Sequence, residues 1–333
     1  MSLPVSLAPP PPNPAAPCLP LPPSLGMSDQ SSPSTPAPCD FGNCVIPQYL
    51  LALSPSLTVC ADRARKSSAF SCDVLLSPAA KSAMAKLAGA PASGGGKGVK
   101  GDRVRSVFYE PVDHPDFRAS LRDYSNSGYD RGHLSPAANH KGSQAAMDAT
   151  FNLWNVTPQV GEGNNRHYWA RLEAFARGLA RTPNTLAVYS CTGPAFVPRE
   201  LDGEKFMVHR YAKDVPVPTH LYKVVMRVRS LDGADKSVPL DGRGHLTPGA
   251  AEDLAFDFAA FLVPNDPIPP EVPLSTFQVP MSRVERLVGT RFWPEARALR
   301  AHDLCTDERT GIACVLPPPD WWKAKKALPP PTK

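Results

Sequence analysis

Two neighbouring stretches carry most of the structural and chemical information in this chain: SGYDRGHLSPAANH at residues 127–140 and FNLWNVTPQV at residues 151–160. They are followed by NNRHYWARLEAFARGLAR at residues 164–181, where Leu172, Phe175 and Leu179 recur at helical spacing. This spacing predicts a helix with one apolar face. Before these stretches, RVRSVFYE at residues 103–110 alternates well enough to predict a strand.

The residue types at the centre suit phosphodiester hydrolysis, which needs a base to deprotonate water and a Lewis acid to take up charge from the phosphorus. His133, in an Asp-Arg-Gly-His run, is the candidate general base, and Arg131 offers a two-pronged donor for phosphate. Asn165, in the first turn of the predicted helix, presents a neutral amide oxygen, a hard ligand that suits magnesium. With a single protein ligand, most metal positions remain for water and phosphate oxygens, so we expect weak sequence specificity.

The predicted helix brings further polar side chains to the same flank as Asn165. Glu173 lies eight positions after Asn165 and Arg177 twelve positions after it, so both drift only slowly around the helix. Glu173 is therefore a candidate to hold a metal-bound water, and Arg177 a candidate phosphate contact. An alternative for Arg177 is a solvated ion pair with Glu173, which would contribute little.

With these motifs the sequence resembles the DNA/RNA non-specific endonucleases, and within them the endonuclease G group. The resemblance extends over residues 49–294 and rests on the following motifs: Tyr-Asp-Arg-Gly-His-Leu with Ala-Asn-His, Met147-Asp148-x-Thr-Phe151, Asn155-Val-x-Pro-Gln159, Asn165 four before Trp169, Leu172-Glu173, Cys191-Thr-Gly-Pro194, Val217-Pro-Thr-His220 with Lys223, and Val263-Pro-Asn265.

The resemblance implies an α+β fold of the ββα-metal (His-Me finger) type, with a central, mostly antiparallel sheet flanked by helices. It also implies cleavage of DNA and RNA that leaves 5′-phosphates and depends on Mg²⁺, with Mn²⁺ as a substitute. Homodimers and a mitochondrial location are usual among such relatives.

The same resemblance implies roles for individual residues. His133 takes the role of base, Asn165 that of metal ligand and Asn155 that of orienting the base. Glu173 and Arg177 match positions assigned to a metal-bound water and to phosphate, and Arg118 is a further phosphate contact.

One departure from the family pattern concerns the metal ligand. The stretch between Gln159 and Trp169 is one residue longer than in animal relatives, so Asn164 or Asn165 could be the ligand. Counting back from Trp169 and Glu173 keeps the helix register and favours Asn165.

The resemblance implies one nuclease domain, which we place at residues 41–318, and composition predicts a proline-rich arm at 1–40 and a basic, proline-terminated tail at 319–333. A Gly- and Lys-rich loop is expected at 86–102. An insertion is expected at 231–257, where DGRGHLTP and its His245 echo the central motif without its partners. The first forty residues do not form a typical transit peptide, and no stretch is apolar enough for a membrane span.

Net charge, cysteine spacing and the lack of zinc-binding motifs limit the classes of function that the sequence allows. A net charge of +5 permits a polyanionic partner. Eight cysteines without zinc-ribbon spacing favour mostly reduced thiols, and the absence of His-Glu-x-x-His or of a Cys/His cluster argues against a zinc hydrolase. The alternative to a nuclease is a nucleic-acid-binding protein that keeps the fold and has lost catalysis.

Overall fold

The structure is a computed structural model that describes residues 48–87, 100–231, 233 and 253–321. Its centre is a seven-stranded sheet with the order β1-β2-β3-β6-β11-β12-β13. The strands of this sheet are β1 (Gln48–Ser54), β2 (Leu57–Asp62), β3 (Ser67–Leu76), β6 (Thr185–Ala195), β11 (His220–Ser230), β12 (Leu254–Pro264) and β13 (Ala301–Asp303). All neighbouring pairs are antiparallel except β12 and β13, which are parallel. The mostly antiparallel α+β prediction is therefore confirmed.

Three two-stranded ladders stand apart from this sheet. They are formed by β4 (Asp130–His133) with β5 (Val156–Gln159), β7 (Arg199–Leu201) with β8 (Glu204–Phe206), and β9 (Arg210–Ala212) with β10 (Val215–Val217). The helices are α1 (Pro78–Leu87), α2 (Leu121–Tyr124), α3 (Gln144–Ala149), α4 (Trp169–Leu179), α5 (Met281–Val288) and α6 (Pro294–Ala298).

The central strands are buried on both faces because helices cover the two sides. On β11, Leu221 and Val225 join the core under α4, whereas Val224 and Met226 join the cores on the opposite face. Lys223 shares the α4 face and is 1% exposed, so this lysine is enclosed by the fold. A buried charge is costly unless it is paired or hydrogen-bonded, so we expect polar partners around Lys223.

The predicted helix is present, but it begins differently from the expectation. A π-helical segment, Gly161–Tyr168, with a kink at Glu162 and Gly163, leads directly into α4. Together, β4, β5 and this helical run form a ββα unit on the side of the sheet that α4 covers.

The strand predicted at residues 103–110 is wrong. The chain there makes a short 3-10 helix, Arg103–Arg105, and then an extended run that forms only an isolated bridge between Tyr109 and Asn152. Local alternation suggested a strand, but the segment has no long partner strand to pair with.

Other expectations lie partly outside the described residues. The loop predicted at 86–102 begins inside α1, and residues 88–99 are not described. The insertion predicted at 231–257 runs into β12, and His245, the arm at 1–40 and residues 322–333 fall outside the described part of the chain. Among the described residues, no helix has the length and apolar character needed to cross a bilayer.

The expectation of mostly reduced cysteines is wrong for the described part of the chain. Cys72 on β3 lies opposite Cys191 on β6 and is bonded to it, and Cys305 is bonded to Cys314. Cys60 is a buried free thiol. The spacing of cysteines along the sequence did not reveal these pairs, because strand register brings Cys72 and Cys191 together over 119 residues.

Candidate active site

A cavity of about 220 Å³ opens between the β4–β5 ladder and the helical run that follows it. It is lined by Arg103, Arg131, His133, Pro136, Ala137, Asn165, Arg166, Ala170 and Glu173. Four of the residues proposed from sequence, namely Arg131, His133, Asn165 and Glu173, therefore meet in one place. Arg103 and Arg166 were not anticipated.

The β4–β5 ladder positions His133 at the end of its strand, opposite Val156. The ladder can form closely at this point because Gly132 has no side chain: a Cβ there would overlap the side chain of Gln159. The Gln159 amide in turn donates to the His133 backbone oxygen at 3.4 Å. The glycine of the motif thus makes room for a neighbouring protein side chain.

The His133 imidazole is packed between two aromatic rings. Its centroid lies 5.1 Å from that of Phe108 and 4.8 Å from that of Phe151, and the residue is 6% exposed. Burial, followed by the positive charges of Arg103 and His140, lowers the pKa of His133 to about 3. The ring is therefore neutral at pH 7 and able to accept a proton, and its Nε2 has no hydrogen-bond partner among the described residues.

Asn165 faces the cavity and Asn164 does not. Asn164 is fully buried and its amide nitrogen donates to the backbone oxygen of Pro264 at 2.7 Å. The Asn165 amide nitrogen donates to Asp130 at 2.9 Å. Because that nitrogen is engaged, the side-chain oxygen of Asn165 is the atom left for a ligand.

Asp130, the first residue of the Asp-Arg-Gly-His motif, lies where the helical run begins. Its carboxylate also accepts from Arg166 at 2.8 Å and 2.5 Å, and it fits because Gly161 has no side chain: a Cβ there would lie 2.9 Å from both carboxylate oxygens. Burial alone would raise the pKa of Asp130, but the hydrogen bonds from Arg166 and Asn165 lower it below its ordinary value. Asp130 is therefore a charged anchor for Asn165.

Glu173 lies on α4 at the cavity wall and is half-buried. Burial raises the pKa of Glu173 to about 7, although the positive charges of Lys223, Arg177 and Arg103 oppose the shift. Lys223, behind it, donates to Thr192 at 2.5 Å and lies 5.3 Å from the centre of the Trp169 ring. This carboxyl can therefore change its protonation state near neutral pH.

Asn155 is fully buried below the cavity and makes three hydrogen bonds with backbone atoms. Its side-chain oxygen accepts from the Ser135 N–H at 2.9 Å, and its nitrogen donates to the carbonyls of Ser135 and Thr150 at 2.8 Å and 2.9 Å. These bonds orient the backbone that follows His133, and none of them involves the imidazole.

Arg131 and Arg103 are exposed at the cavity wall, and each guanidinium lies over an aromatic ring. Arg131 lies 4.7 Å from the ring centre of Phe108, and Arg103 lies 5.8 Å from that of Phe151. The two rings that enclose His133 therefore also support the cations beside it. Arg103 was missed because the strand prediction at 103–110 gave it no relation to the motif.

The structure does not bring Arg118 and Arg177 into the cavity wall. Arg118 is paired with Glu110 and donates to the Asp113 carbonyl at 3.1 Å. Arg177 is half-buried and donates to the Asn139 side-chain oxygen at 3.1 Å. Both guanidinium groups are bound to protein acceptors outside the cavity wall. This geometry therefore does not support the phosphate contacts expected of these two arginines.

Comparison with known proteins identifies the family of the chain. Residues 52–299 match the family model for DNA/RNA non-specific endonucleases. A nuclease from Syncephalastrum racemosum is 40% identical over 221 residues, which is 63% of this chain and 61% of the relative. The mitochondrial nuclease of Saccharomyces cerevisiae is 38% identical over 246 residues, 70% of this chain and 68% of the relative.

A solved structure of an EndoG/EndoGI complex is also similar, with a TM-score of 0.60 and 30% identity over 78% of this chain and 92% of that one. The chain spans less than two thirds of the length of the Syncephalastrum relative. With the family match covering most of the sequence, this chain belongs to the DNA/RNA non-specific endonuclease family, whose enzymes hydrolyse phosphodiester bonds.

Proposed function

We propose that the chain is a magnesium-dependent endonuclease that cleaves both DNA and RNA and leaves 5′-phosphates. One observation carries this proposal: a neutral, buried histidine, an oriented amide oxygen and exposed arginines line the same cavity. The family match supports nuclease chemistry in general.

In this mechanism His133 is the general base. It accepts a proton from the water that attacks the phosphorus. The bond between the phosphorus and the 3′-oxygen breaks, so one product carries a 5′-phosphate and the other a 3′-hydroxyl. The pKa of the free imidazole is low for a base at neutral pH. A bound phosphodiester brings negative charge next to His133 and raises that pKa when the base is needed.

The donor atoms of the cavity fit a hard divalent cation. Asn165 would hold it through its side-chain oxygen, and Glu173 supplies a carboxylate in the same cavity. Among the described residues there is no cluster of three or more His, Cys, Asp or Glu that could enclose a metal, which is compatible with an ion bound mainly by water and substrate. When bound, such an ion offsets the charge that develops on the phosphate oxygens.

Arg131 and Arg103 are the proposed phosphate contacts. Both are exposed at the cavity, and their stacking on Phe108 and Phe151 limits the freedom of their guanidinium groups. Contacts to phosphate give affinity without reading bases or sugars, so the same site can accept DNA and RNA. Arg166 also faces the cavity but is paired with Asp130.

We also propose a homodimer that uses an exposed apolar patch, which we call the hairpin patch. It comprises Leu201, Phe206, Met207, Val208 and Tyr211, each at least 38% exposed. The β7–β8 hairpin carries two acidic and two basic residues (Glu200, Glu204, Arg199 and Lys205), so a two-fold axis could pair the surface with itself. Exposed apolar side chains grouped in this way favour a role in an interface.

A mitochondrial location is a further proposal, supported by the name of the yeast relative. The nuclease domain proposed at residues 41–318 contains the whole family match at 52–299.

The proposed activity is tested with supercoiled plasmid and RNA incubated with the purified chain, in magnesium or EDTA. Wild type, His133→Ala and Asn165→Ala are compared with His114→Ala, which removes an exposed histidine outside the cavity. We expect magnesium-dependent cleavage of both polymers by wild type and by the His114 variant, and loss of cleavage in the other two. A wild type that binds nucleic acid in a salt-dependent way but cleaves neither polymer would contradict the proposal and favour the binding-protein alternative.

A further inference from the structure

A carboxylate in the centre of the sheet is connected to the loop that follows His133. Asp73 lies on β3 and is 5% exposed. A buried charge in a central strand is costly unless hydrogen bonds compensate it. Two are present: the Ser135 hydroxyl donates to Asp73 Oδ2 at 2.7 Å, and the Asn139 amide donates to the same oxygen at 2.6 Å.

The connection continues through a buried histidine. His140 Nε2 lies 2.8 Å from the Ser135 hydroxyl oxygen, and His140 Nδ1 lies 3.3 Å from the hydroxyl of Ser56 on the β1–β2 turn. Since the Ser135 hydroxyl gives its proton to Asp73, it accepts from Nε2–H of His140. Burial alone would raise the pKa of Asp73, but His140, whose Nε2 also lies 3.7 Å from Asp73 Oδ2, lowers it below its ordinary value, so the carboxylate remains ionised.

Asp73 thereby binds both ends of a short loop. Ser135 lies two residues after His133 and Asn139 lies six residues after it. The backbone of Ser135 is held by Asn155 from one side while its hydroxyl is held by Asp73 from the other. Arg177 donates to the side-chain oxygen of Asn139 and fixes the far end of the loop to α4.

We propose that Asp73 is a positioning residue for the reaction, acting through Ser135 and Asn139 to hold His133 where it can accept the proton. This inference rests on the proposed nuclease function. Asp73 does not line the catalytic cavity, so we expect it to act through the placement of the base and not through contact with phosphate. A displacement of a catalytic group by about 1 Å can lower a rate about 100-fold.

Asp73→Asn removes the charge while keeping the size of the side chain, and Asp73→Glu keeps the charge. The matched control is Ser71→Ala, two positions earlier on the same face of β3, where the hydroxyl is buried and has no hydrogen-bond partner among the described residues. The full chain is assayed on a defined duplex, at a temperature at which the circular dichroism of each variant shows it to be fully folded.

The kinetic result expected for Asp73→Asn is a kcat about 10- to 100-fold lower with an unchanged KM. Asp73→Glu should recover part of that loss, and Ser71→Ala should match wild type. A purely structural role for Asp73 predicts a lower melting temperature in Asp73→Asn but a wild-type kcat in the folded protein. That outcome overturns the inference.

Hydrogen exchange provides a readout that does not need activity. In Asp73→Asn the amides of Ser135 and of residues 137–140 should exchange faster than in wild type and Ser71→Ala, while those of β11 are unchanged. An inert wild type would refute the proposed function alone, because the exchange result would still decide whether Asp73 holds this loop. Unchanged exchange at Ser135 and residues 137–140 would overturn the inference even if the enzyme is active.

Discussion

The side-chain amide nitrogen of Asn165 lies 2.9 Å from a carboxylate oxygen of Asp130, and this contact sets which end of the Asn165 amide faces the cavity. A ligand oxygen held by a partner outside the coordination sphere binds metal more tightly, and loss of such partners costs about 10- to 100-fold in metal affinity. The first residue of the Asp-Arg-Gly-His motif, Asp130, thus has a role of its own: it holds the side chain of Asn165 in place.

Asp130→Asn should therefore raise the magnesium concentration needed for half-maximal cleavage by about 10-fold or more. Magnesium titration of the cleavage rate and calorimetric titration of magnesium binding without substrate would both show the shift. Asp266→Asn is the control, because it removes one partner of an exposed ion pair with Arg210. A wild-type binding constant in Asp130→Asn would refute this role.

Asn164 and Asn165 should differ in what their loss affects. Asn164→Ala removes the hydrogen bond to the Pro264 carbonyl and leaves that acceptor without its partner, so we expect a loss of about 1–3 kcal/mol in the free energy of unfolding. Asn165→Ala should abolish magnesium binding with a smaller effect on stability. Urea unfolding and calorimetry of both variants separate the two effects, and the reverse pattern would move the metal ligand to Asn164.

The depressed pKa of His133 predicts a pH dependence of stability with a definite sign. Between pH 3 and 6.5 the folded state binds fewer protons at His133 than the unfolded state does, since the pKa falls from 6.5 to about 3 on folding. Protonation of His133 therefore does not reduce stability above about pH 6.5. Below that value it lowers the free energy of unfolding as the pH falls, by up to about 1.4 kcal/mol per pH unit.

His133→Phe should weaken this dependence, because a phenyl ring does not titrate and can pack between Phe108 and Phe151. Urea unfolding of wild type and variant at pH 4, 5, 6 and 7 measures the difference. Parallel curves for the two proteins would show that His133 does not carry the effect.

The two disulfides should contribute unequally to stability. Cys72–Cys191 spans 119 residues and Cys305–Cys314 spans nine, so the chain-entropy model gives about 5 and about 3 kcal/mol respectively. Thermal unfolding of the Cys72→Ala/Cys191→Ala and Cys305→Ala/Cys314→Ala double variants, with and without reductant, tests the order. Equal losses in the two variants would contradict the entropic argument.

The hairpin patch gives a prediction about assembly. Tyr211→Glu places a charge on a side chain that is 56% exposed, and it should convert the proposed dimer to a monomer without lowering the melting temperature of the subunit. Light scattering after size-exclusion chromatography measures the mass. Val112→Glu is the control, since Val112 is fully exposed and lies outside the patch. A dimer that persists in Tyr211→Glu would place the interface elsewhere.

Local patterns in the sequence pointed to several residues that the structure brings together in one cavity. The helical spacing from Asn165 to Glu173 brought both side chains to one cavity, because residues on one helix keep their relation whatever the helix packs against. The Asp-Arg-Gly-His and Asn-x-x-Pro-Gln motifs form the two strands of one ladder, and the family resemblance indicated the antiparallel α+β fold. In these cases the residues lie close together along the chain, or their pairing was implied by the family resemblance.

The failures concern residues whose partners are distant in sequence. Arg103 reaches the cavity and Arg118 does not, although no local sequence pattern distinguishes the two arginines. Asp73 is one of several polar residues in its strand, and its link to Ser135 spans 62 residues.

Which side chains can accept a proton, bind a cation or contact phosphate could therefore be predicted from the sequence, because those properties belong to the residue and its nearest neighbours. The folded arrangement was needed to show which of these side chains meet, which cysteines are bonded and how far burial moves the pKa values of His133 and Glu173. These features depend on long-range packing and desolvation, which no short stretch of sequence contains.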